Sequence, residues 1–307
     1  MLLGIDIGGS GSRVALATGS ERLELRGPRV AVTAEGGSAE VVARDLLSLA
    51  ERRWPSLYPQ VVGVGIGATG LATLVRDPDG AVRRLARAVN APVAAAIDAV
   101  TAHLGALGGV PGAVISLGTG AIAIGWDGED AWRRVDGWGH LLGDRGGGAW
   151  IGMRGLNRAL AAHDGTDPAG AALLYAATAR FGEPLQWPAQ FYTQPDRAGV
   201  LASFAADVVE LADDDRAARA ILTRAAAHAA ASLSAAAQGG VPPVLSAAGG
   251  LARSERFLHQ IRSELAGLRP DAELRPARGT SLDGALELAG RAAAGKAQGA
   301  APYLWVS

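Results

Sequence analysis

One carboxylate set just before a run of glycines is the strongest chemical signal in this chain. Asp6 lies in the apolar stretch Leu2-Leu3-Gly4-Ile5-Asp6-Ile7, which runs into Gly8-Gly9-Ser10-Gly11-Ser12-Arg13 and leaves as Val14-Ala15-Leu16-Ala17. A turn without side chains leaves backbone N–H groups bare, and several together form a concave anion site. A carboxylate beside such a cradle repels phosphate unless a hard cation separates them. Mg²⁺ keeps most of its waters and takes one or two carboxylates plus phosphate oxygens, which makes Asp6 the candidate metal residue. The pattern returns at Ala113-Val114-Ile115-Ser116-Leu117-Gly118-Thr119-Gly120-Ala121-Ile122-Ala123-Ile124. Two such turns facing each other would grip one polyphosphate from both sides. Taken singly, each also fits an ordinary β-hairpin.

Phosphoryl transfer asks a protein for a phosphate cradle, a cation and a base that orients the attacking hydroxyl. Asp98 fits the base: it follows the strand Val93-Ala94-Ala95-Ala96-Ile97 and opens the helix Ala99-Val100-Thr101-Ala102-His103. Capping that helix is an ordinary use of Asp and is compatible with the role. A second dense region, Asp136-Gly137-Trp138-Gly139-His140-Leu141-Leu142-Gly143-Asp144-Arg145-Gly146-Gly147-Gly148-Ala149-Trp150-Ile151-Gly152, is too glycine-rich for regular structure, yet Trp138, Asp144 and Trp150 are interleaved in it. A sugar presents apolar C–H faces and hydroxyl edges, so its site wants an aromatic wall and carboxylates that accept O–H bonds. For the nearby Trp126 and Trp132, core packing is the better reading.

Composition removes other chemistries. The 307 residues contain no Cys, which excludes disulfides, Cys-ligated zinc, iron–sulfur clusters and thiol nucleophiles. Of 29 basic side chains only Lys296 is Lys, so neither the P-loop lysine nor the protein-kinase strand lysine exists. Glycine turns and Mg²⁺ are therefore expected to carry the phosphate. The net charge of −1 offers no field to gather nucleic acid or an anionic membrane. No apolar run nears the roughly 18 residues that span a bilayer, and no leader pattern opens the chain, so a cytoplasmic location is expected. Gly65-Ile66-Gly67-Ala68-Thr69-Gly70 matches GxGxxG after a strand, but Asp77-Pro78-Asp79-Gly80 makes a turn too soon for the helix a dinucleotide site needs. The five histidines show no paired metal spacing, and no Ser sits in a GxSxG elbow.

These residues need elements to carry them. A polar strand is expected at 21–26, and Ser38 caps an amphipathic helix over 39–53. Strands are expected at 61–67 and 92–97, with a helix at 99–107 ended by Gly108-Gly109. This β-β-β-α-β-α order is an α/β arrangement with a mixed sheet and helices on its faces. After Pro111-Gly112 the pattern restarts, which divides the chain into a unit at 1–110 and a second copy at 111–307. Helices are expected at 150–162, 217–238, 254–265 and 282–294, with a strand at 244–247 ending in Gly249-Gly250.

Four blocks in this order carry a resemblance: Asp6-Ile7-Gly8-Gly9-Ser10-Gly11-Ser12, Ile115-Ser116-Leu117-Gly118-Thr119-Gly120, Gly137-Trp138-Gly139-His140-Leu141-Leu142-Gly143-Asp144-Arg145-Gly146 and Ala247-Ala248-Gly249-Gly250. Together they resemble the N-acetylglucosamine kinase family, grouped with the BadF/BadG/BcrA/BcrD ATPases in the actin-like ATPase and sugar-kinase fold. The resemblance implies two actin-like (ribonuclease H-like) domains of related topology with a central cleft. It implies ATP and Mg²⁺, with Gly8, Gly9, Ser10, Gly11, Ser12 and Arg13 as phosphate loop one and Asp6 near the metal. Gly118, Thr119 and Gly120 would be phosphate loop two, and Gly249 and Gly250 would lie along the adenosine. Asp98 would orient the 6-hydroxyl of an amino sugar, and Thr69, Gly70, Thr119, Trp138, Gly139, His140 and Asp144 would line the sugar site.

Two departures mark this chain. Arg145 stands where the family often has Glu. After Gly27-Pro28 the family's sugar-contacting Asn-His is replaced by a run that holds Glu35, which suits an ammonium or a hydroxyl. The sugar is thus N-acetylglucosamine or glucosamine, and a homodimer stays open. Two alternatives remain at this point: an actin-like nucleotide-binding regulator or assembly protein, and a dehydrogenase using the GxGxxG segment.

Overall fold

The computed structural model describes residues 1–9, 11–19, 21–27, 32–33, 36–37, 39–129 and 131–307. Its strands are β1 (Leu2–Gly8), β2 (Gly11–Thr18), β3 (Glu21–Gly27), β4 (Val32–Thr33), β5 (Gly36–Gly37), β6 (Gly63–Ala68), β7 (Val93–Ile97), β8 (Gly112–Leu117), β9 (Ala121–Trp126), β10 (Trp132–Asp136), β11 (Val244–Ala248), β12 (Glu273–Arg275) and β13 (Leu304–Val306). The helices are α1 (Ala39–Arg53), α2 (Leu71–Leu74), α3 (Pro78–Val89), α4 (Asp98–Leu107), α5 (Gly148–His163), α6 (Ala171–Phe181), α7 (Trp187–Thr193), α8 (Arg197–Ser203), α9 (Ala205–Leu211), α10 (Arg216–Ala236), α11 (Glu255–Leu268) and α12 (Ser281–Ala293). The expected cap Ser38 lies outside the described residues.

Two sheets have one plan. The first runs β3-β2-β1-β6-β7 with β13 added at its edge, and the second runs β10-β9-β8-β11-β12. In each, three strands meander antiparallel and two more join in parallel. The restart read from the sequence is therefore a repeat of topology, and the fold is α/β with two lobes of related architecture. Residues of β6 and β7 are buried throughout, as parallel strands covered on both faces must be.

Gly65 and Gly67 of the GxGxxG segment belong to β6, not to a dinucleotide turn. A Cβ on Gly65 would run into the backbone of α12 at Ala285 and Ala289, and one on Gly67 would run into Thr101 of α4. Alternate glycines thus let two helices lie directly on the strand. The same helices touch each other through Gly105 and Gly284, whose missing side chains admit the Thr280 and Thr101 carbonyls. Helix α4 is buried on every side from Ala99 to Leu107, because α12, β6 and the second sheet surround it.

The ends of the chain correct the division at 110. Helix α12 packs on β1 and β6, β13 pairs with β7, and Leu288, Ala292, Leu304 and Trp305 belong to the first lobe's core. Residues 281–307 therefore complete the first lobe and do not belong with the second. Asp77-Pro78-Asp79-Gly80 is also not a turn: the Asp77 carboxylate accepts from the Gly80 N–H at 2.9 Å, and Pro78 takes the first helical position of α3. In the second lobe, the Ala-rich α10 buries Ala217, Ala218, Ala225, Ala226, Ala229 and Ala230. Helices α6 to α9, for which the sequence carried no expectation, fold onto its core through Leu173, Trp187, Phe204 and Val208.

Candidate active site

A cavity of about 820 Å³ opens between the lobes. Asp6, Gly8, Arg13 and Asp98 line it from the first lobe; Gly118, Gly249 and Gly250 line it from the second. The strands β1, β7, β8 and β11 all end there, so the site sits off the carboxyl ends of parallel strands, where open α/β sheets bind ligands. Positions where a Cβ would stand on Gly9, Gly118 and Gly250 face open space, as a phosphate or sugar approaching the backbone requires. Gly249 has φ +97° and would press a side chain on the Leu117 carbonyl, so only glycine suits it.

Asp6 pairs with Arg13, whose guanidinium donates to Oδ2 at 2.7 Å. Across β1 and β2 the two residues are register partners, so both side chains leave the same sheet face. Ser12 points to the opposite face, where it is buried beside Gly27 and Leu46. As a phosphate ligand it has only its backbone to offer. Ser10 and Glu35 lie outside the described residues.

Asp98 occupies the first position of α4. Burial, then the Asp6 carboxylate, push its carboxyl up to about 6; the Ala99 N–H, the Thr69 hydroxyl and the Arg134 charge pull the other way. A base balanced near neutrality suits proton transfer from a hydroxyl. Thr69 is held there by its own N–H, which donates to the Ile7 carbonyl at 2.9 Å. Gly70, with φ +70°, turns the chain into α2.

Loop 136–146 is built around the buried carboxylate of Asp136. It accepts from the N–H groups of Asp144 at 2.7 Å and Arg145 at 3.0 Å. Asp136, Gly137, Gly139, Asp144 and Gly146 all have positive φ, which accounts for the density of glycine. Asp144 Oδ1 accepts from the Gly139 N–H at 3.2 Å, and its other oxygen lies where Gly120 would carry a side chain. Burial is the main cause that raises the Asp144 carboxyl. His140 is close enough for its charge to act on Asp144. Trp138 is 64 % exposed. Thr69, Gly70, Thr119, Gly120, Trp138, Gly139, His140 and Asp144 are not among the residues that line the cavity.

The Gly118-Thr119-Gly120 turn is tied to this loop from behind. The carbonyls of Gly118 and Thr119 accept from the N–H groups of Gly148 and Ala149 at the start of α5, both at 2.8 Å. Gly118 donates its own N–H to the Gly120 carbonyl at 3.0 Å, which removes it from the set of free cradle amides. Trp126 and Trp132 stack at 5.3 Å away from the cleft, as core packing predicted.

Sequence reading missed two things. Beside the expected Arg13, the arginines Arg253, Arg262, Arg275 and Arg278 line the cavity, so cationic side chains face it although the chain has almost no lysine. Segment 274–281, between β12 and α12, walls the far end, and nothing in its composition announces that. Among the described residues no three His, Cys, Asp or Glu side chains gather as a metal site. Asp6, with Asp98 behind it, fits a cation held mainly by water and phosphate oxygens.

The sequence model of the BadF/BadG/BcrA/BcrD ATPase family matches residues 3–284. The chain belongs to that family. Its fold matches a Chromobacterium violaceum protein provisionally assigned as an N-acetylglucosamine kinase, at 27% identity and TM-score 0.69 over 93% of this chain and 97% of that one. A Porphyromonas gingivalis protein with the same provisional assignment matches at 18% identity and TM-score 0.70, covering 94% and 98%. The glucokinase of the ROK family from Streptomyces griseus, solved with glucose and AMPPNP, shares the fold at 20% identity and TM-score 0.61, covering 94% and 99%. No curated protein matches the chain. Among the described residues no helix is long and apolar enough to cross a membrane.

Proposed function

We propose that this family member is an ATP-dependent sugar kinase that phosphorylates the 6-hydroxyl of an amino sugar, N-acetylglucosamine or glucosamine. The observation that carries the reading is Asp98: a strand-end carboxyl held near neutral pKa, in one cavity with Asp6 and glycine turns from both lobes. Family membership supports ATP, and the Chromobacterium violaceum structure supports a sugar acceptor. Asp98 takes the proton of the acceptor hydroxyl as its oxygen bonds to the γ-phosphorus and the bond to the β-phosphate oxygen breaks, releasing ADP. Gly8, Gly9, Thr119 and Gly120 border the phosphates, and Gly249 and Gly250 border the adenosine. Mg²⁺ at Asp6 would neutralise charge on the phosphate oxygens. Trp138 offers the sugar an apolar wall, and Asp144 accepts from a hydroxyl.

The test is ADP release with glucosamine, N-acetylglucosamine, N-acetylmuramic acid and glucose side by side. An amino sugar is expected to stimulate release at least tenfold over the rate without sugar. Equal release with and without every sugar would discard the kinase in favour of a nucleotide-binding regulator.

A further inference from the structure

Arg134 stands on β10 with its guanidinium fully engaged by the loop that follows. Its Nε donates to the Asp136 carbonyl at 3.1 Å, and a terminal nitrogen donates to the Gly137 carbonyl. The plane of the group lies over the Trp138 indole, 4.5 Å from its centroid. These three contacts fall on three consecutive residues, two of which hold positive φ, +61° at Asp136 and +75° at Gly137. A left-handed Asp is an uncommon conformation that persists only where surroundings impose it. The Asp136 carboxylate fixes the loop from one side through Asp144 and Arg145, and Arg134 fixes it from the other.

The positive charge of Arg134 also acts on the Asp98 carboxyl, more weakly than burial, Asp6 and the hydrogen bonds from Ala99 and Thr69. Asp98 meets the negative charge of Asp6 from β1, the hydroxyl of Thr69 after β6, and the positive charge of Arg134 from β10. Arg13 is taken up by Asp6, and on α12, which runs along α4, Asp283 is engaged by Arg22 and Thr280, and Glu287 by Arg291. Arg134 thus holds residues 136–138 and adds a positive charge that favours ionised Asp98.

We propose that Arg134 is a positioning residue for the phosphoryl acceptor: it locks residues 136–138 so that Trp138 presents one fixed face, and it sets a positive charge opposite Asp98. The role rests on the reading of Asp98 and Trp138 given above. A lysine could supply the charge, but not the planar fork that serves two carbonyls and a ring at once.

The experiment compares wild type with Arg134→Lys and Arg134→Gln. Asp98 ionisation is followed by carboxyl ¹³C NMR in the ligand-free protein, and kinetics are measured with whichever sugar the wild type turns over. Arg134→Gln is expected to move the Asp98 midpoint above its starting value of about 6. It should also lower kcat/KM for the sugar roughly 10- to 100-fold while the KM for ATP stays within about twofold. Arg134→Lys should restore the midpoint and leave the sugar KM raised. An unmoved midpoint with an unchanged sugar KM overturns the proposal. So does a parallel loss in ATP and sugar parameters together with a lowered thermal midpoint, the mark of a merely structural arginine. If the wild type turns over no sugar, the kinase reading fails by itself, and the NMR arm still decides whether Arg134 controls Asp98.

Discussion

Asp98 joins two requirements that conflict. To serve as the proposed base its carboxyl must ionise, yet burial and Asp6 hold its proton up to about 6. The kcat/KM for the sugar should therefore fall on an acid limb with a midpoint near pH 6, measured as a pH–rate profile. The same shift bears on stability with a definite sign. An ordinary Asp releases its proton near 3.9, so between about pH 4 and pH 6 the unfolded chain binds fewer protons at this site than the folded one, and stability falls as pH rises. Asp98→Asn should abolish turnover by at least roughly 10²-fold. It should also stabilise the protein by roughly 2 kcal/mol at pH 8, with no gain at pH 3.5, read by urea unfolding at both pH values. The placement of Asp98 and Asp6 at the cavity was legible because each lies at or near the carboxyl end of an apolar strand. The burial of Ser12 was legible in principle, since it shares a strand face with Val14 and Leu16. Arg134 was not: its partners are carbonyls of a loop whose path depends on positive φ, which composition alone does not order.

At the scale of elements, what decides the site is how closely α4 and α12 approach β6. Gly65→Ala would force a methyl into the α12 backbone and should cost about 3 kcal/mol or more. Gly284→Ala, against the Thr101 carbonyl, should do the same. Thermal unfolding of both variants checks this, with Gly9→Ala, which faces open space, as the control expected to unfold like wild type. The strands at 21–26, 61–67, 92–97 and 244–247 and the helices at 39–53, 217–238 and 254–265 were legible from apolar patterning, whereas β10, β12 and β13 were not. The glycines of β6 left a dinucleotide turn open as an alternative because one spacing serves two purposes, a phosphate turn or a helix seat, and only the partner helix, more than 200 residues later, tells them apart. The start of α3 misled because Asp-Pro-Asp-Gly is equally a turn and an N-terminal cap.

At the scale of the molecule, the cleft is divided evenly: the base and Asp6 on one lobe, the second glycine turn and the Trp138 loop on the other. Under the proposed reaction, productive alignment would bring the lobes together, which would also exclude water as a competing acceptor. Small-angle scattering should show a smaller radius of gyration with AMPPNP and the accepted sugar together than with either alone. Equal radii in all states would mean that the open and closed arrangements are the same.

The return of residues 281–307 to the first lobe also has a consequence for synthesis. A ribosome delivers β1 to α4 first, but the helix that must cover Gly63 and Gly65 and the strand that closes the edge at β7 arrive last. The lobe that begins first is thus finished second. Until then it waits with an apolar floor uncovered, and the lobe inserted in its middle receives its own last strand, β12, only just before α12 follows.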